Sequence, residues 1–122
     1  MRYLYYGSVS SPGIWRIPLA PRSPDGSLAN QDGELIRETL PVTGHRFWTL
    51  GQGGIYFVDA HNAPAVLKFV DLATHKVTVL ATLPKPPAKF TRGLSISPDG
   101  RYAMYCEDDV NRYEIRVVEN IR

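Results

Sequence analysis

The fold is decided by Gly93–Tyr102, GLSISPDGRY, where a short alternating apolar segment meets a Ser-Pro-Asp-Gly turn. Pro98 presets φ for the turn, Asp99 can accept hydrogen bonds from nearby backbone N–H groups, and Gly100 adopts positive φ without strain. After the turn, Tyr102–Cys106 is a continuous apolar segment of strand length. The stretch therefore predicts two antiparallel strands joined by a tight turn.

Turn residues divide the rest of the chain into short segments with period-two character, and no segment shows a sustained helical period. Ten glycines and ten prolines favour short strands and many turns. Strands are predicted at Arg2–Tyr6, Ile14–Leu19, Glu34–Leu40, His45–Leu50, Ile55–Asp59, Ala65–Asp71, Lys76–Leu83, Thr91–Ser97, Tyr102–Cys106 and Tyr113–Val118.

Aromatic-rich segments recur along the chain at Tyr3–Tyr6, Ile55–Val58 and Tyr102–Tyr105. Their spacing is roughly 50 residues, close to the length of one four-stranded repeat. The repeat predicts a partial unit at 1–43 with its second, third and outer strands, a complete unit at 44–87, and a partial unit at 88–122 with its inner, second and third strands. An independent β-sandwich or meander is the alternative, because all such folds share short alternating strands.

The hexapeptide Ser97–Tyr102 and the ending Val118–Arg122 resemble the C-terminal part of a TolB-like, WD-repeat-like β-propeller of the acidobacterial type. This resemblance implies an all-β fold of antiparallel four-stranded blade meanders. About two and a half blades would form one domain and an incomplete propeller. It also implies a binding platform, and together with the absence of catalytic motifs from the sequence it leads us to expect a non-enzymatic binding or interaction module. Unpaired blade edges associate with other strands, so we expect either a fragment of a longer protein or a homo-oligomer formed through these edges.

Composition excludes several classes of protein. The 122 residues are 43% hydrophobic and 21% charged, with a net charge of +2 and interspersed signs, which suits one folded domain and no nucleic-acid partner. Aromatic residues at alternating strand positions favour packing between sheets over base stacking. No apolar segment predicts a membrane span or a signal peptide, so we expect a soluble chain, cytoplasmic as written or periplasmic as part of a longer protein. Cys106 lies in an apolar strand and is predicted to be a buried, unreactive thiol.

Catalytic, cofactor and metal motifs are absent from the sequence. The segment Gly93–Ser97 departs from the G-x-S-x-G nucleophile elbow, and His45, His61 and His75 show no triad spacing. Two groups of candidate metal ligands, Asp59 with His61 and Asn62, and Glu107–Asp109, lack calcium-loop spacing. We therefore expect no catalytic residue, cofactor or metal. The alternative is a small hydrolase or enzyme fragment whose site lies in the loops.

Any binding site is expected on the loops at one end of the strands, since loops on a rigid scaffold usually carry binding residues. These loops are Ser8–Gly13, Pro41–Arg46, Asp59–Pro64, Pro84–Arg92 and Glu107–Arg112. The candidate binding face comprises His45, Arg46, His61, Asn62, Lys85, Lys89, Arg92 and Asp108. Its ligand, a protein or a small molecule, is left open by the sequence.

Overall fold

A computed structural model describes residues 3–7, 12–19, 33–40, 47–60, 64–84, 93–109 and 112–121, the side chains of 107–109 and 112–114 excepted. The strands are β1 (Tyr3–Gly7), β2 (Ile14–Pro18), β3 (Glu34–Ile36), β4 (Trp48–Gly51), β5 (Gly54–Asp59), β6 (Val66–Asp71), β7 (Val77–Thr82), β8 (Ser95–Ile96), β9 (Tyr102–Asp109) and β10 (Arg112–Glu119). They form three antiparallel sheets in chain order, β1–β3, β4–β7 and β8–β10. The prediction of an all-β fold with a four-stranded antiparallel meander is confirmed.

Two predicted strands are shorter in the structure. The segment Glu34–Leu40 forms only the three-residue β3 and then a 3-10 helix at Arg37–Thr39. The hydroxyl of buried Thr39 accepts a hydrogen bond from the Ile14 N–H at 2.8 Å and donates one to the Ile36 carbonyl at 2.6 Å. These bonds turn the chain back over β2 and end the strand. In the predicted Thr91–Ser97 strand, β8 covers Ser95–Ile96 of the described residues 93–97, and Thr91 and Arg92 lie outside the described residues.

The inner strand β5 of the middle sheet, β4–β7, is buried on both faces, whereas the edge strand β7 is mostly exposed. Successive residues of a strand point to opposite faces, and every residue from Gly54 to Val58 in β5 is buried. We name the face of a sheet toward the preceding sheet its earlier face and the opposite face its later face. On the earlier face of the middle sheet, Ile55, Phe57 and Val70 form one core cluster with Ile14 and Ile36 of the first sheet. On the later face, the residues that pack with the third sheet are Tyr56, Val58 and Leu67, and their partners include Leu94, Ala103 and Tyr105. The three sheets therefore stack in sequence order.

The turns joining β4 to β5, β6 to β7 and β8 to β9 lie at one end of the stack, here named the turn end. Gln52 and Gly53 have positive φ (53° and 77°), the geometry of a two-residue type I′ hairpin turn. The Gly53 carbonyl accepts the Leu72 N–H at 3.2 Å, and Gln52 Nε2 donates to the Pro98 carbonyl at 2.8 Å. Hydrogen bonds between turns thus join the middle and third sheets at this end.

The Ser-Pro-Asp-Gly turn forms as the sequence predicts. The Gly100 N–H donates to the Ser97 carbonyl at 2.9 Å, and Gly100 has φ of 74°. Asp99 Oδ1 accepts hydrogen bonds from Ser97 Oγ at 2.7 Å and from the Arg101 N–H at 3.1 Å. The hydroxyl of Ser97 lowers the pKa of the Asp99 carboxyl most, and the Arg101 N–H adds to the effect. The turn therefore favours an ionised Asp99.

The direction of the first sheet differs from the sequence-based expectation. Thr39 binds the start of β2 at Ile14, and neighbouring Glu38 lies at the turn end, where its Oε1 is 2.8 Å from Nδ1 of His75. Strand β2 therefore starts at the same end of the stack as β5 and runs in the same direction. In the repeat, β2 is thus equivalent to β5, and β1 is equivalent to β4. The expectation placed β1 beside β5, with residues 8–13 among the binding loops. Gly13 instead lies at the turn end.

The expected burial of Cys106 also needs correction. Its thiol is free and half-buried. Cys106 pairs with Ile115 and shares a strand face with exposed Met104, on the side of β9 away from the middle sheet. Because no other described sheet covers that face, the apolar sequence around Cys106 does not bury it.

Replacing Thr39 by valine should destabilise the fold by about 1–3 kcal/mol, because the buried Ile14 N–H and Ile36 carbonyl lose their partner while the volume is kept. Urea unfolding measures the change. Thr78→Val is the matched control, since Thr78 is exposed in β7, and its effect should stay within about 0.5 kcal/mol. Equal effects of the two substitutions would contradict the role given to Thr39.

Replacing Asp99 by asparagine should lower stability at neutral pH, and the difference from the wild type should disappear in acid. A carboxyl with a lowered folded pKa contributes stability above its unfolded pKa, and this is lost as pH falls through the folded pKa. Urea midpoints at pH 7 and below the folded pKa of Asp99 measure this. In the companion variant Ser97→Ala, the pKa of Asp99 should rise, as followed by carboxyl NMR; an unchanged pKa would refute the assigned cause.

Candidate functional site

The opposite end of the stack, here named the loop end, is where the candidate binding face was expected. Asp59 pairs with Val66 and Val66 with Thr82, so β5 and β7 end and β6 begins there. Leu83 at the same end donates its N–H to the Ala65 carbonyl at 2.8 Å. The connections at 60–65 and 83–94 therefore begin and end at the loop end.

The structure does not describe the side chain of any of the eight residues of the candidate binding face. Asp108 belongs to β9 by its backbone only. The others fall in segments that the structure does not describe, and they are His45, Arg46, His61, Asn62, Lys85, Lys89 and Arg92. Their placement on one face remains a prediction from the sequence and from the strand ends just described.

An ion pair lies at the loop end of the middle sheet. Lys68 Nζ donates to Asp59 Oδ2 at 2.7 Å, and the two side chains are 24% and 16% exposed. Lys68 in β6 is paired with Phe57 in β5, so its stem lies on the same face as a fully buried aromatic ring. The aliphatic stem of a lysine can cover apolar surface while the ammonium reaches water. Here the ammonium meets a carboxylate at the rim of the core.

Trp48 continues the row of side chains on that face. It pairs with Phe57, which pairs with Lys68, and paired residues of neighbouring strands point to the same side. The Trp48 ring packs against the core cluster shared with the first sheet. Its Nε1 atom is buried and has no hydrogen-bond partner among the described residues. The row thus combines an unused donor with a half-buried ion pair.

This arrangement places an ammonium, a carboxylate and an indole N–H on one face of a rigid sheet, where the two charges bind each other and the indole nitrogen is buried. Within the described ranges, no group of three His, Cys, Asp or Glu side chains is placed to hold a metal ion. His75 is exposed in the turn after β6 and lies at the turn end. No helix among the described residues has the length and apolar character of a membrane span.

Sequence reasoning named Asp59 only as a candidate metal ligand and did not single out Lys68 or Trp48. One signal was present, because Lys68 interrupts the otherwise apolar segment Ala65–Val70. A charged side chain in such a segment needs a partner or access to water. The partner could not be read from the spacing, since it depends on the register between β5 and β6.

Comparison with known proteins gives no relative: no protein-family model, no curated protein and no solved structure matches the chain.

Replacing Lys68 by methionine should destabilise the protein by about 1–3 kcal/mol, because the Asp59 carboxylate loses a charged donor in a half-buried position. A double-mutant cycle with Asp59→Asn, measured by urea unfolding, gives the coupling. The pair Arg16 and Glu34 is the control: its N–O distance is 3.0 Å, but Glu34 is 65% exposed, so Glu34→Gln should cost only about 0–1 kcal/mol. A Lys68→Met effect as small as that of Glu34→Gln, or a coupling to Asp59→Asn near zero, would contradict this.

Proposed function

We propose that the chain is a non-enzymatic binding module made of consecutive β-propeller blades, and that its loop end binds acidic segments of a partner protein. The observation that carries the proposal is the stacking of three antiparallel sheets in chain order, with both faces of β5 in the middle sheet buried. Successive blades of a propeller are arranged in this way, each packed on the next.

Strand directions support a blade-like repeat. The turns between the first two strands of the middle and third sheets meet through the Gln52 to Pro98 hydrogen bond, so β4 and β8 end at the same end of the stack. Strand β2 also begins at the turn end, so successive strands of the first sheet run in the same directions as the first three strands of the middle and third sheets. In a sandwich of unrelated sheets, corresponding strands of successive sheets need not run in the same direction.

The acidic nature of the ligand follows from charge. The basic charge is concentrated in the connection between β7 and β8, which contains Lys85, Lys89 and Arg92 and no acidic residue. The end of β9 that leads to β10 carries the opposite charge, with the three acidic residues Glu107–Asp109, and the described groups Lys68 and Asp59 neutralise each other. A connection with three basic and no acidic residues attracts anionic partners and steers their approach.

Fluorescence anisotropy with a labelled glutamate-rich peptide tests the proposal. The double variant Lys89→Glu with Arg92→Glu reverses two charges in the connection between β7 and β8, and it should weaken binding at least about tenfold. A lysine-rich peptide of the same length should bind less tightly than the glutamate-rich one.

The matched control reverses two exposed charges at the turn end, Lys76→Glu with Arg101→Glu. It changes the net charge equally and should leave the affinity nearly unchanged. Equal losses in the two double variants, or equal binding of the two peptides, would show that the loop end is not the binding surface.

A further inference from the structure

Each end of the stack of sheets presents an exposed apolar face. The face of the first sheet away from the middle sheet, here named the head face, comprises Leu4, Tyr6, Trp15, Ile17 and Leu35. The face of the third sheet away from the middle sheet is here named the tail face, and its apolar residues are Tyr102, Met104, Cys106, Ile115 and Val117. Exposed Ser95 and Glu119 lie at its border, paired with Met104 and Tyr102. Leu4 is 51% exposed and Ile115 69%. Contiguous apolar faces of this kind mark interaction surfaces.

The internal contacts of the chain show what such faces pack against. The first sheet contacts the middle sheet, and the middle sheet contacts the third. In both contacts, the later face of one sheet meets the earlier face of the next: Ile14 and Ile36 meet Phe57, and Tyr56 and Val58 belong to the cluster shared with the third sheet. The head face is the earlier face of the first sheet, and the tail face is the later face of the third. The head face and the tail face are therefore the two complementary halves of the contact that joins successive sheets within the chain, and both are unoccupied among the described sheets.

We infer that a second copy of the chain covers these faces, the tail face of each copy packing on the head face of the other. This inference rests on the proposed function, because it treats the three sheets as successive blades. Two copies would supply six sheets, within the roughly 4–8 blades that close a propeller. Closure buries both faces of both copies, so the assembly stops at two chains and forms two contacts at once.

Sedimentation equilibrium over a range of concentrations tests the inference, using the wild type and two single-face variants. The wild type should reach twice the 13.7-kDa mass of the chain. Leu4→Lys on the head face and Val117→Glu on the tail face should each weaken self-association at least about tenfold, since either change damages both contacts of a pair. Both positions are exposed, so the substitutions leave the internal core intact.

Mixing the two variants distinguishes the head-to-tail pair from other pairs. The Leu4→Lys chain keeps its tail face and the Val117→Glu chain keeps its head face, so an equimolar mixture should recover a one-to-one complex. The control Val79→Lys changes a residue that is 61% exposed in β7, on neither face, and should associate like the wild type.

Three results would overturn the inference: a wild-type monomer at all concentrations, a mass that grows beyond two chains, or a Leu4→Lys variant that still pairs with itself through its tail face. The glutamate-peptide assay is run on the same samples. A monomer that binds the peptide would reject the second copy and keep the proposed function. A dimer that fails to bind the peptide would keep the second copy and reject the acidic partner.

Discussion

The structure depends on burying both faces of β5. Its residues from Gly54 to Val58 have no exposed side, and each large apolar side chain contributes about 1.5–3 kcal/mol by leaving water. A strand with one apolar face needs one neighbouring sheet, but a strand with two needs a sheet on each side. The sequence Ile55–Val58, apolar at every position, therefore imposes a three-layer arrangement, and the alternating strands of the first and third sheets supply the outer layers.

The two ends of the strands are held differently. At the turn end, local polar contacts fix the chain: the Asp99 carboxylate organises its own turn, and Asp71 Oδ1 accepts the Ala73 and Thr74 N–H groups in the turn after β6. These hydrogen bonds lower the pKa of Asp71 as well. Contacts between turns, from Gln52 to Pro98 and from Glu38 to His75, then align neighbouring sheets.

Strand positions were predictable because their signals are local. Alternation gave the ten strand segments, and Ser97–Gly100 and Gln52–Gly53 carry turn preferences within a few residues. The direction of the first sheet was not predictable, because it is fixed by packing on a distant sheet and is visible only in contacts such as that of Glu38 with His75, 37 positions away. The end of β3 depends likewise on the Thr39 hydroxyl reaching Ile14 across 25 positions. Of the candidate site, the sequence indicates the loop end and the basic charge of the connection between β7 and β8, whereas the Lys68–Asp59 pair required the register of two strands.

The binding surface and the association surfaces proposed here lie on different sides of the chain, and this follows from the geometry of stacked sheets. Head and tail faces are sheet faces, covered by layers added along the stack, whereas the loop end consists of strand ends, which stacking leaves open. Association along the stack therefore adds loop ends side by side without covering any of them. In the proposed pair, all six sheets would present their loops on one side, because strands that run in step within a chain continue in step across equivalent contacts. The basic connections of two chains would then act on one acidic partner together, with a higher effective concentration than either chain alone offers.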